Sequence, residues 1–528
     1  MCTVFAYEGK ALSIPKLREI LKRTRRRGPD DERIVSPKDG VFLAFQRLSI
    51  MGVDESGMQP FLYHGMYSIT NGEIYGFRDI RRTLEREGYS FHSNSDCETV
   101  LYLYDKYREN MFSLLDAEFA TVIYDEKEGF IAARDPIGIR PLFYGYDSDG
   151  KIAFASEACL LTPFCSSTLP FPPGSYYKEG KFISYRDIAD VRSYRYGSIE
   201  EITAGIRDRL IEAVRKRLDS DTPLAFLLSG GLDSSLVCSI ATKLLGKKIR
   251  TFSIGMDKDP IDSKYAERTA EYLGSEHTNV SMNKSDVIEA LPEVINTLAT
   301  YDITTIRASM GMYLLCRYIH ENTDVRVLLT GEVSDELFGY KYTDFAPSAE
   351  EFEKESQKRV RELYAYDVLR ADRCIADNSI EARVPFGDLE FASYVLSIDP
   401  EMKMNRTGHG KYLLRKAFDD GSYLPDDILW REKAAFSDAV GHSMVDELKE
   451  YAATYYEGKD LEKEYLKYPE EGRPFTPESL LYREIFEHYY PGQHSMIPGF
   501  WMPNSTWPGC KVKDPSARVL SNYGKSGE

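Results

Sequence analysis

Between an apolar run at residues 224–228 and a helical stripe at 236–245 stands Ser229-Gly230-Gly231-Leu232-Asp233-Ser234-Ser235. The run, Leu224-Ala225-Phe226-Leu227-Leu228, is too short for a helix and reads as a buried strand. Leu236, Val237, Ile240, Ala241, Leu244 and Leu245 share one helical face, which Gly246 can end. Strand, small-residue loop and helix together let a backbone approach an anion closely. Glycines remove Cβ obstruction, and the amides that open the helix point at the charge. The hydroxyls add donors, and Asp233 is placed to hold Mg²⁺ against phosphate oxygens. A plain turn also uses Gly and Ser, but two glycines between hydroxyls, with an acid shortly after, favour a phosphate cradle. The G-x-x-x-x-G-K-S/T form is absent, so this is not a Walker A loop.

The loop resembles the pyrophosphate-binding loop of the ATP pyrophosphatases, enzymes that split ATP into AMP and pyrophosphate. Its surroundings suit that reading. Ser198 and Glu201 form a capping box, and Ile202, Ile206, Leu210, Val214 and Leu218 form a helical stripe read as core packing. A strand at 251–255, a helix capped near Asp262 and ended by Gly274, and a strand at 325–329 follow. Strands alternating with helices predict an α/β parallel sheet with ligands beyond the strand C-termini. The resemblance puts adenine by Ile254, Gly255 and Leu228, with Ser229, Gly230, Gly231, Asp233 and Ser234 around the phosphates. The third strand runs into Thr330-Gly331-Glu332-Val333-Ser334-Asp335-Glu336, which resembles the second nucleotide motif, S-G-E-G-S-D-E. It implies nucleotide contacts at Thr330 and Gly331, a second Mg²⁺ ligand at Asp335, and Glu332 near the reacting carboxyl. Val333 replaces a glycine, and a β-branched residue strains any φ > 0 conformation. The loop is therefore expected to differ locally from the family.

At 528 residues, two or three domains are expected. The net charge of −17, with basic residues scattered, argues against a nucleic-acid partner. No apolar stretch reaches membrane-span length and the N-terminus has no signal-peptide core, so a cytoplasmic location is expected by default. Eight cysteines without a C-x-x-C pair suggest neither a disulfide framework nor a zinc cluster.

In residues 1–186 the apolar runs are short and β-rich, at 41–45, 67–70, 119–124, 130–133 and 152–155. Two helical patterns, 14–24 and 99–107, interrupt them. Cys2 directly follows Met1. If Met1 is removed, amine and thiol belong to one residue, and an α-amine of pKa near ~8 can take the thiol proton. Arg27-Gly28-Pro29-Asp30, Arg47-Leu48-Ser49-Ile50-Met51, Asn71-Gly72-Glu73-Ile74-Tyr75 and Ser95-Asp96-Cys97-Glu98 follow in order, then Arg134-Asp135-Pro136 and Ala155-Ser156-Glu157. Block by block they resemble the class II glutamine amidotransferase domain. The resemblance implies an α+β domain of stacked antiparallel sheets with flanking helices. It also implies Cys2 as nucleophile, and Asn71 and Gly72 as the oxyanion hole. Arg47 would hold the substrate α-carboxylate beside Leu48, Ser49, Ile50 and Met51, with Glu73 and Asp96 at the α-ammonium. Thr3 and Gly76 stand where the family usually has Gly or Ser, and Asn.

Residues 187–197 read as a linker, 198–490 as the ATP-using domain, and 491–528, rich in Gly, Pro and Ser, as a poorly ordered tail. Tyr301-Asp302-Ile303-Thr304-Thr305-Ile306-Arg307, Leu369-Arg370-Ala371-Asp372-Arg373, Glu381-Ala382-Arg383-Val384-Pro385 and Leu429-Trp430-Arg431-Glu432-Lys433 resemble the glutamine-hydrolysing asparagine synthetases. Gly387 stands where that family normally shows Leu. The resemblance implies substrates aspartate, glutamine and ATP with Mg²⁺, a β-aspartyl-AMP intermediate and a homodimer. Thr304, Thr305, Arg307, Glu332, Arg383 and Lys433 would surround aspartate and the intermediate. Two other readings share the motifs: a carboxylate-activating relative of the β-lactam synthetase type, and a non-catalytic sensor of glutamine or ATP.

Overall fold

The computed structural model describes residues 1–258, 260–432 and 442–524. Its first sheet runs Ser167–Pro170, Phe143–Tyr146, Ile152–Ala155, Thr3–Glu8, Val41–Arg47, Asp31–Val35, all antiparallel. The second runs Lys181–Ser184, Ser175–Lys178, Gly129–Arg134, Ala117–Asp125, Met66–Ile74, Phe61–Tyr63, again antiparallel. Alternate residues of each sheet (Val4, Ala6, Leu43 and Phe45 against Ile69, Ala120, Val122 and Ala132) form one core, so the sheets stack face to face. Strand Ala117–Asp125 is buried throughout because helix Glu98–Tyr107 belongs to the core on its outer face.

The third sheet is parallel, in the order Glu276–Met282, Arg250–Met256, Leu224–Leu227, Val327–Leu329, Glu381–Arg383. Its strand order reverses between Leu224–Leu227 and Val327–Leu329, the switch point where such sheets open a crevice. Local signals explain the elements around it. Ser198 and Glu201 close a capping box on helix Ile199–Arg217. Helices Leu232–Leu245 and Ile261–Leu273 end on Gly246 and Gly274, at φ 60° and 64°. Asp262 is not the cap of the latter helix but lies inside its first turn.

The tail corrects the expectation of poor order. Trp507, Cys510 and Leu520 are buried with Tyr342, Phe352 and Met404. Scattered aromatic anchors outweigh the turn-forming composition between them.

A band of buried ion pairs joins the antiparallel-sheet region to the helices around the parallel sheet. Arg27 meets Glu157 at 2.7 Å and Asp372 at 2.8 Å; Arg140 meets Glu118 at 3.0 Å and Asp372 at 3.4 Å. Arg217 meets Glu118 at 2.9 Å and Asp388 at 3.1 Å. Buried charge is tolerated only when paired in this way.

Candidate active sites

Strand Thr3–Glu8 starts beside strand Met66–Ile74, which carries Asn71, Gly72 and Glu73. The Cys2 backbone N–H donates to Asn71 Oδ1 at 3.0 Å, and Arg27 Nε donates to the Cys2 carbonyl at 2.9 Å. The Cys2 Sγ lies 3.4 Å from the Leu48 N–H and 3.6 Å from the Leu48 carbonyl. Asn71 Nδ2 is buried with no hydrogen-bond partner among the described residues. A donor left open beside a thiol is what a tetrahedral oxyanion needs. A Cβ on Gly72 would lie 2.2 Å from the Glu118 carbonyl, so only glycine fits there. Burial raises the Cys2 thiol, so the thiol needs a base to ionise. Met1 is sealed in this structure, and burial lowers its amine to about 5.

Around the thiol, Ser49 N–H donates to Asp30 and Gly52 N–H to Asp221, fixing the loop that holds Leu48, Ser49, Ile50 and Met51. The terminal nitrogens of Arg47 donate to the Gly52 and Asp54 carbonyls. Each keeps a second hydrogen for a carboxylate. Asp96 accepts the Ile74 N–H at 2.8 Å, and burial raises it to about 6. Glu73, held well above the usual carboxylate range by burial, is paired with Arg383 at 2.9 Å.

The second site is a cleft of about 220 Å³ at the sheet's switch point. Leu228, Ser229, Gly231, Asp233, Ser234, Ile254, Thr304, Thr305, Arg307, Thr330, Gly331, Glu332 and Asp335 all line it. Gly230 and Gly255 do not. Gly230 (φ 71°) leaves room for Tyr265 and Ala266, and Gly255 for Pro260 and Ser263. The two motif loops touch, since a Cβ on Gly331 would lie 2.9 Å from the Ser234 nitrogen. Across that contact Asp233 and Asp335 converge on one point, now held by the Lys411 ammonium, 2.8 Å from both Asp233 oxygens and 2.6 Å from Asp335. Two carboxylates plus phosphate oxygens suit Mg²⁺, which keeps few protein ligands. Sequence reasoning missed Lys411, whose left-handed backbone (φ 59°) turns it inward from a polar loop.

Glu332 is paired through both carboxylate oxygens with Arg370, which also reaches Asp367. Glu336 hydrogen-bonds Asp367, and burial, with that neighbour, holds it well above the usual range. Thr304 and Thr330 have buried hydroxyls without a hydrogen-bond partner among the described residues. The Thr305 hydroxyl donates to Asp302, and Arg307 is held by Glu478 and Asp514. Pro515, Ser516 and Ala517 of the tail complete one wall.

Two expected cleft cations are absent from this set. Lys433 lies outside the described residues. Arg383 is fully buried away from the cleft, between Glu73 and Glu381, so its assignment to aspartate and phosphates is corrected.

The family model for a glutamine amidotransferase domain matches residues 1–172, and that for asparagine synthase matches 205–351 and 344–506. The chain belongs to the asparagine synthetase family. An asparagine synthetase (glutamine-hydrolyzing) of Mesocricetus auratus is 40% identical over 569 residues, covering 99% of each chain. That of Homo sapiens is 39% identical over 570 residues, with the same coverage. A probable asparagine synthetase (glutamine-hydrolyzing) of Dictyostelium discoideum is 39% identical over 557 residues, 98% of each.

As an asparagine synthetase family member the chain accommodates its departures. Gly76 sits at φ 70°, a region that Asn also tolerates. Val333 adopts φ 80°, so the loop turns through the left-handed region despite its β-branched residue, which strains the backbone there. At Gly387 a Cβ would meet Ile139 at 2.9 Å, and the isoleucines Ile137 and Ile139 fill the space that a larger residue would need. Thr3 buries a hydroxyl without a hydrogen-bond partner among the described residues, for which nothing here gives a reason.

Proposed function

We propose that this chain makes L-asparagine from aspartate and ATP, using ammonia released from glutamine. Residues 1–186 supply the glutaminase. With Met1 removed, the Cys2 amine takes the thiol proton and the thiolate attacks the glutamine amide. Asn71 Nδ2 and the Gly72 N–H receive the oxyanion, Arg47 the α-carboxylate, and Asp96 with Glu73 the α-ammonium. Water then releases glutamate from the thioester.

Residues 198–490 and the tail supply the synthetase. The aspartate β-carboxylate attacks the α-phosphorus of ATP, giving β-aspartyl-AMP and pyrophosphate. The hydroxyls of Ser229, Ser234 and Thr330 and the Lys411 ammonium face the departing phosphates; Glu332 and Thr304 face the carboxyl. Mg²⁺, when bound by Asp233 and Asp335, adds charge neutralisation on pyrophosphate. Ammonia then attacks the acyl carbon, and AMP leaves. Ammonium cannot attack, so ammonia has to cross between the sites without meeting bulk water. Among the described residues no helix is long and apolar enough to cross a membrane, and every described cysteine is free. Those facts support a cytoplasmic enzyme, and we take it to act as a homodimer like the family it resembles.

The observation that carries the reading is the open, buried Asn71 donor beside the thiol of a chain that also holds a nucleotide-type cleft. Cys2→Ala is expected to abolish asparagine formation from glutamine and to leave formation from added ammonium. Loss of both, or retention of both, in an assay for asparagine, AMP and pyrophosphate would overturn it.

A further inference from the structure

The cation that sequence reasoning placed in the cleft has another setting. Arg383 ends strand Glu381–Arg383, the edge of the parallel sheet, and its side chain leaves that sheet altogether. One terminal nitrogen meets Glu73 at 2.9 Å, and Nε meets Glu381 at 2.9 Å. The other terminal nitrogen donates to the carbonyls of Arg217 and Asp219, at the end of the first helix of the synthetase region. Every nitrogen of the guanidinium therefore has a partner, one of them on the strand that carries Asn71 and Gly72. The main chain of the same residue points the other way. Its carbonyl accepts the Thr330 N–H at 3.1 Å, and Leu329 is its partner in the sheet register. Thr330 opens the second nucleotide motif and presents its unpartnered hydroxyl at the cleft.

We infer that Arg383 is a positioning residue that couples glutamine occupancy to the phosphate loop. The inference rests on the proposed placing of the glutamine α-ammonium at Glu73. An ammonium arriving there competes with the guanidinium for one carboxylate. Glu381 offers the guanidinium a second anchor, so the side chain can shift its weight without losing its charge partner. Because the Arg383 carbonyl is tied to Thr330, the shift reaches the loop that holds ATP through one peptide. Linkage makes the effect reciprocal: a nucleotide that fixes Thr330 also fixes Arg383 and sets the shape of the glutamine pocket. Lysine at this position would keep a cation near Glu73 and Glu381 but lacks the planar fork that also holds two carbonyls.

The test uses full-length enzyme and the variants Arg383→Met and Arg383→Lys, assayed for glutamate and asparagine together. Ammonium-dependent synthesis should fall less than glutamine-dependent synthesis in Arg383→Met, and Arg383→Lys, which keeps a cation between Glu73 and Glu381, should retain most of it. Glutamate formed per asparagine should rise about five-fold or more in Arg383→Met, the size of a modest coupling energy, and less in Arg383→Lys. ATP with aspartate should alter the glutamine KM of the wild type and no longer that of Arg383→Met. A wild-type ratio and an intact nucleotide response in Arg383→Met would overturn the inference. So would an equal fall of ammonium- and glutamine-dependent rates in both variants, which marks a merely structural role. If Arg383→Met does not fold, Arg383→Lys decides by the same ratio. Failure of the underlying reading looks different: the wild type would then hydrolyse no glutamine, or Cys2→Ala would still use it.

Discussion

Asp96 is a carboxyl that folding pushes up to about 6, mainly through burial. The sign follows from linkage. A carboxyl whose folded pKa exceeds its unfolded value stabilises the fold at low pH, and that contribution is lost as the pH rises through the folded pKa. Above pH 6 the site therefore carries a costly anion, which the α-ammonium proposed to bind there would offset. The glutamine KM should accordingly rise as the pH falls below about 6, while synthesis from ammonia shows no matching inflection. Asp96→Asn keeps an acceptor for the Ile74 N–H. It should raise the melting temperature at pH 8 and raise the glutamine KM about ten-fold or more, the cost of a charged hydrogen bond. A lower melting temperature with an unchanged KM would refute both halves.

Among the elements, the segment after Pro491 reaches the cleft from the far end of the chain. It buries Trp507, Cys510 and Leu520 and sends Ser516 and Ala517 to the cleft wall. Deleting it should abolish ammonium-dependent synthesis and leave glutamine hydrolysis measurable. Losing Trp507 alone should cost about 3–5 kcal/mol in denaturant unfolding. Wild-type synthesis by the shortened chain would show the segment to be dispensable. How readable each element was depended on whether its signal was local. Strand Ile152–Ala155, helix Leu232–Leu245 with Gly246, and the Ser198 capping box carry their own alternation or caps, and each was legible in the sequence. So was the position of the two loops that resemble nucleotide motifs, which follow the strands flanking the switch point. Lys411 was not legible, because an inward turn at one left-handed residue has no periodicity. Arg383 was misread because a motif names a residue type but not the face of the strand end from which it leaves. The tail was misread because widely spaced aromatics dock on partners such as Tyr342 and Phe352, far off in the sequence.

At the scale of the whole molecule, the two regions are held by ion pairs as well as by apolar packing. Arg217 bridges Glu118 of the second antiparallel sheet and Asp388 beyond the parallel one, all three nearly without solvent exposure. Arg217→Ala takes one of two cations from each carboxylate, leaving Glu118 to Arg140 and Asp388 to Lys216, and should destabilise the fold by about 1–3 kcal/mol, read from denaturant unfolding. Arg217→Met, which removes the charge but keeps the bulk, should be no milder, whereas a Glu118→Gln/Asp388→Asn double change in the Arg217→Met background should recover much of the loss. The sealing of Met1 has a consequence for the order of synthesis. Its amine lies in the field of Glu381 and Asp372, which leave the ribosome some 370 residues after it, a delay of roughly 20–75 s at ordinary elongation rates. With Met1 buried in the finished fold, a peptidase has to reach the first peptide bond before folding is complete.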